Sequence, residues 1–243
     1  MNSIIKIPGI IFICLIGITV SCGEQNSQSN KDKKIKIICT TDVISEAISN
    51  ILPPNFDVQS LMGPGVDPHT YKSKASEMKE MMSADVIVYN GIDFESNLID
   101  AIEEISKSGF VISLGDIVPE KRLRKTNDFG SSHDPHFWHD INLFALSIKL
   151  AGEKFSKKFP NSKKYIDSAT ISYTNKLFET EKYVRNEIAK IPDSSRVLIT
   201  AHDAFGYYGR LFGIEVKGLQ GISTASDISI RGITELTDFI VAR

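Results

Sequence analysis

Apolar runs alternate with amphipathic stretches through the first part of the chain. Four runs have the length and apolar content of buried strands, at residues 35–39, 57–61, 85–89 and 110–114. Between and after them, apolar side chains at three- and four-residue steps predict helices at residues 42–52, 74–83, 95–106 and 141–159. Runs that are apolar on both faces are typical of parallel sheets that helices cover on each side. The pattern therefore predicts a doubly wound α/β lobe over residues 35–160.

A long helical pattern without glycine or proline follows, over residues 162–191. A helix of that length would extend about 45 Å, so we expect a helix at 161–191 that joins two lobes. The remaining residues, 192–243, predict two strands and two helices. Two strands make a marginal sheet, and we therefore expect the second α/β lobe to be incomplete.

The first residues form a separate segment. An apolar run at residues 7–20 follows Lys6 and is too short to span a bilayer, which predicts a signal peptide over residues 1–21. The run ends in Ser-Cys-Gly, which resembles a bacterial lipobox with Cys22 as the thiol that takes a lipid. Residues 22–34 are polar and predict a flexible tether. We therefore expect a protein of the cell envelope, attached to a membrane at Cys22.

Charge and cysteine content narrow the function classes. The formal net charge is −2, the sequence pI is about 6.2, and no basic cluster suggests a nucleic-acid partner. Of the three cysteines, Cys14 would leave with the signal peptide and Cys22 would carry lipid. Cys39 lies in an apolar run and is expected to be a small buried side chain rather than a metal ligand or redox group. A disulfide within one mature chain is then impossible.

The histidines carry the candidate chemistry. Three of the five lie in residues 132–140, and His69 and His202 each follow a predicted strand, where open α/β sheets bind ligands. The tripeptide Asp-Pro-His occurs at 67–69 and again at 134–136, and proline stiffens each loop. Two or three neutral imidazoles with a carboxylate would bind Zn²⁺, Mn²⁺ or Fe²⁺. We favour His69, His136 and His202 together as ligands over the alternative of surface histidines.

The neighbouring residues have weaker or different interpretations. His133 and His139 are less favoured as ligands, and His139 could instead support the following helix start or bind metal adventitiously. Asp134 and Asp140 are expected to cap helices or accept hydrogen bonds behind the ligands rather than bind metal directly. The aromatic pair Phe137 and Trp138 is expected to pack as core that separates the site from water.

Three motifs give the chain a family resemblance. They are GPGVDPHTY, DPHFWHD and TAHDAFGYYGRLFGIEVKGLQGIST, in that order around the long helix. Together they resemble the metal-binding receptors of bacterial zinc and manganese ABC uptake systems, the TroA-like family, over nearly all of residues 35–243. The resemblance implies two lobes, with a metal held between them by His69 and His136 of the first lobe and His202 of the second.

The resemblance also implies the function and the partners. The protein would be a monomeric solute-binding receptor that delivers its metal to an ABC permease in the membrane. Manganese-preferring relatives tend to carry glutamate at the position of His202, so zinc or a zinc and manganese mixture is implied. Family members continue beyond the length of this chain and supply an aspartate as a fourth ligand, so the resemblance implies that the chain is truncated at its C-terminus. That departure leaves the fourth position to water or an outside ligand.

Two alternative functions use the same residues. A surface adhesin could share the fold and hold metal as a structural element. A zinc hydrolase could use three histidines with an open fourth position. Against the hydrolase, the chain has no His-Glu-x-x-His motif and no glutamate next to the histidines in sequence to act as a general base. We therefore expect a receptor without enzymatic activity.

Overall fold

A four-stranded parallel sheet forms the centre of the first lobe. The computed structural model describes residues 34–126, 133–225 and 228–242. The strands lie in the order β2-β1-β3-β4, with β1 at Ile35–Thr41, β2 at Phe56–Met62, β3 at Val86–Tyr89 and β4 at Phe110–Ser113. Because β1 has a neighbour on each side, the strand order reverses there, and the crevice at the carboxyl ends of β1 and β3 is the expected ligand position.

Helices cover both faces of this sheet. They are α1 at Asp42–Ile51, α2 at Ala75–Met82, α3 at Ile99–Ser106, α4 at Ile141–Lys158 and α5 at Lys163–Ile188. The side chains of β1 alternate: Ile37 and Cys39 join the core under α1, α4 and α5, whereas Ile38 joins the smaller core under α2 and α3. This alternation is the period-two pattern of a strand buried on both faces.

The second sheet is smaller. Its two described strands, β5 at Val197–His202 and β6 at Glu215–Gln220, are parallel and paired. Helix α6 at Gly206–Phe212 connects them, and α7 at Ile230–Val241 follows. No side chain of α7 is buried, and Ile230 and Val241 are 84% and 80% exposed. The second α/β unit is thus open on one side within the described residues.

The predicted architecture is confirmed, with small shifts at element ends. The fold is α/β with two parallel sheets, and α5 is the long helix between them. Its 26 residues correspond to about 39 Å, somewhat shorter than expected. The segment expected to be helical at residues 95–106 begins instead with a 3-10 turn at Ser96–Leu98. Thr41 occupies the cap position of α1 but makes no capping bond through its side chain.

Several sequence-based predictions lie outside the described residues. They are the signal peptide at 1–21, Cys22 and nearly all of the tether at 22–34. Cys39 is fully buried, and burial raises the pKa of its thiol, as expected for a structural side chain. Among the described residues, no helix combines the length and apolar character needed to cross a bilayer. The lobe bounds at 35–160, 161–191 and 192–243 stay predictions.

Candidate metal centre

Three histidines from separate parts of the fold converge at one point. His69 follows β2, His136 precedes α4, and His202 ends β5. Each offers one ring nitrogen, and the three atoms lie within 4.8 Å of one another. The two Nε2 atoms of His69 and His136 are 3.2 Å apart. Two nitrogens about 2.05 Å from a tetrahedral zinc ion would be about 3.3 Å apart, so this pair already has the spacing of a metal site.

The two Asp-Pro-His segments form the same turn. Asp67 Oδ1 accepts a hydrogen bond from the backbone N–H of His69 at 3.0 Å. Asp134 Oδ1 accepts the equivalent bond from His136, also at 3.0 Å. An aspartate that bonds the backbone two residues further on closes a tight loop, and the intervening proline fixes one of its dihedral angles. The repeated tripeptide therefore presents both imidazoles from rigid loops, as the sequence predicts.

Asp134 also orients the imidazole of His136. Its Oδ1 is 2.8 Å from His136 Nδ1, and because a carboxylate only accepts, Nδ1 carries the proton and donates it. This arrangement leaves the Nε2 lone pair for a metal ion and makes the ligand more basic. Burial opposes ionisation of Asp134, but hydrogen bonds from His136 and Arg124 outweigh it and lower the pKa of the carboxyl. The prediction that Asp134 accepts a hydrogen bond behind His136 agrees with this geometry.

Two of the candidate ligands, His69 and His202, favour their neutral form because their pKa values are lowered. Burial, reinforced by the nearby His136, lowers the pKa of His69 to about 4. The pKa of His202 is lowered by the same two causes. A metal ion binds the deprotonated imidazole, so these rings need lose no proton on metal binding near neutral pH.

Aromatic side chains enclose the histidines. Phe94 packs edge-on against His69, with ring centroids 4.9 Å apart, and also contacts His136. Trp138 packs against His136 with a centroid distance of 5.3 Å. Phe137 is fully buried in the main core. A cavity of about 460 Å³ borders the histidines and is lined mainly by apolar side chains. The predicted role of Phe137 and Trp138 is confirmed, whereas Phe94 was missed because a lone phenylalanine carries no distinguishing signal.

A hydrogen-bond network connects the site to α6. Tyr207 donates to the backbone carbonyl of Asp134 at 2.9 Å and accepts from the backbone N–H of Arg124 at 2.8 Å. The guanidinium of Arg124 pairs with Asp134 Oδ2 at 2.7 Å and extends to Asp203 Oδ2 at 3.5 Å. Tyr207 is fully buried in the core of the first lobe. The second unit is therefore attached directly behind His136.

A second contact between the sheets lies behind His69. Asp67 Oδ2 accepts a hydrogen bond from the hydroxyl of Thr224 at 2.6 Å. Burial opposes ionisation of Asp67, but the bonds from Thr224 and His69 outweigh it and lower its pKa. In each Asp-Pro-His segment, one carboxylate oxygen of the aspartate thus accepts a hydrogen bond from the histidine. The second carboxylate oxygen contacts a residue from a distant part of the chain. Neither Thr224 nor Arg124 was predicted, because their partners are distant in sequence.

The remaining histidines lie outside the cluster. His139 stacks on Phe205 with ring centroids 4.4 Å apart, and burial lowers its pKa to about 4. His133 pairs with Lys125 in an isolated antiparallel bridge. Asp140 caps α4, since its Oδ1 accepts from the backbone N–H of Leu143 at 3.1 Å. The lower ranking of both histidines and the capping role of Asp140 agree with this geometry.

A buried carboxyl supports the site from the sheet. Glu95 accepts hydrogen bonds from the Thr40 hydroxyl at 2.6 Å and from the backbone N–H groups of Asn90 and Gly91 at 2.7 and 3.2 Å. The side chain of Asn90 in turn donates to the carbonyl of Pro135 at 3.0 Å. Burial raises the pKa of Glu95 to about 7. The strand ends and the loop of His136 are thus joined through polar contacts.

Comparisons with known proteins identify the family of this chain. The family described as "ZnuA: Zinc-uptake complex component A periplasmic" matches residues 37–243. The manganese-binding lipoprotein MntA of Bacillus subtilis is 37% identical over 91% of this chain and 72% of its own length. The zinc-binding protein TroA of Treponema pallidum is 34% identical over 94% of this chain and 73% of its own length.

Solved structures show the same fold. The periplasmic zinc-binding protein TroA of Treponema pallidum superimposes with a TM-score of 0.81 at 35% identity, covering 85% of this chain and 74% of the other. The Fe(III)-bound YtgA of Chlamydia trachomatis superimposes with a TM-score of 0.78 at 21% identity, covering 86% of this chain and 77% of the other, and shows likeness of fold alone. The partial coverage is consistent with a second lobe that is incomplete in this chain. The chain therefore belongs to the ZnuA family of periplasmic zinc-uptake components.

Proposed function

We propose that this chain is an extracytoplasmic solute-binding protein that captures a divalent transition metal, zinc or zinc and manganese, and delivers it to an ABC permease. His69, His136 and His202 are the metal ligands in this proposal. The observation that carries it is the convergence of three imidazoles from two sheets, each able to offer a nitrogen within 4.8 Å of the others. The metal is cargo, and the protein acts as a receptor rather than an enzyme.

The choice of metal follows from the ligand chemistry. Three imidazole nitrogens suit zinc, whereas additional carboxylate oxygens shift preference toward manganese. Asp134 and Asp67 place negative charge behind His136 and His69, through hydrogen bonds at the backbone of both and at the ring of His136. These charges stabilise a dication without occupying its coordination positions. Relatives named for zinc and for manganese both match the chain, which supports a receptor that accepts either metal.

Metal analysis and competitive titration test the proposal. We expect protein purified without chelator to contain one divalent ion, and each single alanine variant of the three histidines to lose at least about tenfold in affinity, about 1.4 kcal/mol. His133→Ala and His139→Ala are the matched controls and should bind within about threefold of the parent. A triple alanine variant at His69, His136 and His202 that binds zinc as well as the parent would place the site elsewhere.

Attachment to the cell envelope is the second part of the proposal. Cys22 carries a lipid, residues 22–34 form the tether, and the receptor is a monomer facing the periplasm or the cell exterior. The relative MntA is named a lipoprotein, which supports this arrangement. Cys22→Ser should release soluble protein, and labelled fatty acid should enter the parent only. A parent chain that is cleaved after another residue and remains soluble would overturn the lipid attachment while leaving the metal site intact.

A further inference from the structure

We propose that a basic corner of the first lobe docks on an anionic lipid surface while the receptor is not engaged with the permease, and so directs the metal centre away from the membrane during metal capture. This proposal rests on the proposed attachment through Cys22. The lysine corner consists of five exposed lysines at the end of α4 and the start of α5: Lys154, Lys157, Lys158, Lys163 and Lys164. Residues 154–164 contain no carboxylate.

The charge of this corner is largely uncompensated. Lys163 pairs with Asp167 at 2.6 Å, but the other four lysines form no ion pair with any residue that the structure describes. The whole chain has a formal net charge of −2, so positive charge is concentrated here against an acidic average. Clustered lysines next to a lipid surface are attracted to anionic headgroups, and this attraction is effective within a Debye length of about 8 Å at physiological salt.

The corner lies where the strands of the first sheet begin. Phe159, between the two helices, packs edge-on against Phe56, the first residue of β2, with ring centroids 5.0 Å apart. Lys158 Nζ lies 5.3 Å from the ring centroid of Phe110, the first residue of β4. The candidate metal ligands follow the opposite, carboxyl ends of the strands. The lysine corner and the candidate metal centre therefore lie at opposite ends of the first sheet.

The tether joins the chain at the same end. Ile35 begins β1 and donates its backbone N–H to Asn55, the residue before Phe56, at 3.2 Å. The segment from Cys22 to Lys34 therefore connects to the end that carries the lysine corner. Twelve residues span at most about 40 Å and on average about 20 Å when flexible. A lipid on Cys22 would hold the corner at a high effective concentration near the membrane.

An aromatic side chain adds to the basic surface. Tyr165 follows Lys164 directly and is 49% exposed, although it is large and partly apolar. Tyrosine is enriched at the interface between lipid and water, where its ring contacts the apolar region and its hydroxyl stays hydrated. A nucleic-acid partner would not account for the joining of the tether at this end. The observations therefore favour a lipid surface as the partner.

Docking at this corner would set the orientation of the receptor. Helix α4 begins next to the metal centre, where Asp140 caps it, and ends at Lys158. Its 18 residues correspond to about 27 Å. The metal centre would then lie more than about two Debye lengths from the membrane surface. Free cations would reach it from solution rather than through the ion layer at the lipid.

Vesicle binding tests the proposal in the unacylated full chain, Cys22→Ser. We expect binding to vesicles of phosphatidylcholine mixed with phosphatidylglycerol to exceed binding to pure phosphatidylcholine, and to weaken as salt is raised. Adding Lys154→Glu, Lys157→Glu and Lys164→Glu should reduce binding to the anionic vesicles by about tenfold or more. The matched control replaces three exposed lysines elsewhere, Lys79, Lys176 and Lys182, by glutamate and should retain most of the binding.

Trp138, the single tryptophan, reports the orientation because it packs beside His136. Bromine-labelled lipid in the anionic vesicles should leave its fluorescence unquenched in the bound protein. Quenching of Trp138 by the brominated lipid would overturn the proposal. So would an equal loss of vesicle binding in the two triple-lysine variants, or equal binding of the protein to neutral and anionic vesicles. Tighter binding to duplex DNA than to anionic vesicles would also overturn it. Metal titration and fatty-acid labelling of the parent are measured separately, so failure of the proposed function is distinguishable from failure of docking.

Discussion

His136 and Asp134 are joined by two hydrogen bonds to one carboxylate oxygen, from the backbone N–H at 3.0 Å and from Nδ1 at 2.8 Å. The same oxygen therefore fixes both the position of the residue and the rotation of its ring. The second oxygen is held by Arg124 at 2.7 Å. The carboxylate is fully buried, so its negative charge acts on the metal centre with little screening by water.

Removing the charge of Asp134 should weaken metal binding. We expect Asp134→Asn to lose about 10- to 100-fold in zinc affinity, because the amide still accepts hydrogen bonds but no longer makes the imidazole more basic. Competitive chelator titration measures the change. Asp167→Asn, which removes a carboxylate paired with Lys163 at the start of α5, is the control and should leave affinity unchanged. Equal affinity of Asp134→Asn and the parent would contradict this role.

The hydroxyl of Tyr207 should contribute to the stability of the folded protein. Tyr207→Phe leaves the Arg124 N–H and the Asp134 carbonyl without this partner, which should cost about 1–3 kcal/mol of unfolding free energy. Urea denaturation of the metal-free protein measures it. Tyr208→Phe is the neighbouring control, and its stability should change by less than about 0.5 kcal/mol. A smaller effect at Tyr207 than at Tyr208 would contradict the proposed network.

Glu95 should make stability depend on pH in a defined direction. Its folded pKa is about 7, raised by burial from the ordinary value of 4.5, so the folded state binds more protons than the unfolded state between these values. The contribution of Glu95 to stability therefore falls as pH rises from 4.5 through 7. As pH rises from 4.5 through 7, we expect the unfolding free energy of Glu95→Gln to increase relative to that of the parent by on the order of 1–3 kcal/mol. Denaturation at several pH values measures the difference, and a constant difference would exclude this ionisation.

The contact between α4 and α5 should not tolerate a larger side chain at Gly152. A Cβ there would lie 2.6 Å from Thr170 Oγ1, and Thr170 is buried between the helices. Gly152→Ala should therefore destabilise the protein by about 1–3 kcal/mol. Adding Thr170→Ala removes the obstructing atoms and should recover most of the loss. Thermal denaturation of the single and double variants tests this, and failure of the second change to compensate would point to another cause.

Metal binding should stabilise the folded protein by mass action. Zinc at about 100 times its dissociation constant should add about 2.7 kcal/mol to the unfolding free energy, and a chelator should reverse it. The triple alanine variant at the three histidines should show no such shift. Differential scanning calorimetry with and without chelator measures both proteins. A zinc-induced shift that survives in the triple variant would indicate binding elsewhere.

The local pattern of the sequence predicts most of the fold. The runs containing Ile37 and Val86 predict strands because both faces of the sheet are covered, and the repeated Asp-Pro-His predicts the turns at His69 and His136 because their hydrogen bonds span only two residues. The network around Tyr207 could not be predicted in the same way. Its bond to Asp134 joins residues 73 apart, and a tyrosine on a short helix carries no local sign of a distant partner.

The lysine corner is a second feature that could not be predicted from the sequence pattern alone. Counting charge along the whole chain gives a net value of −2 and hides the stretch at Lys154 to Lys164. The position of that stretch beside Phe56 and Phe110 depends on how α4 packs on the sheet. Likewise the sequence suggests the histidines as a set, but the 3.2 Å separation of two Nε2 atoms is a product of tertiary structure.

The complete burial of Tyr207 in the first lobe has a kinetic consequence. A hinge motion that separated the two sheets would have to withdraw this ring from the core, exposing apolar surface worth about 2–3 kcal/mol, and break both of its hydrogen bonds. A widely opened form would then make up no more than roughly one molecule in a hundred. Metal exchange in solution should therefore proceed mainly through small movements of the loops that carry the histidines, and its rate should be insensitive to crowding agents or viscosity that slow large domain motions.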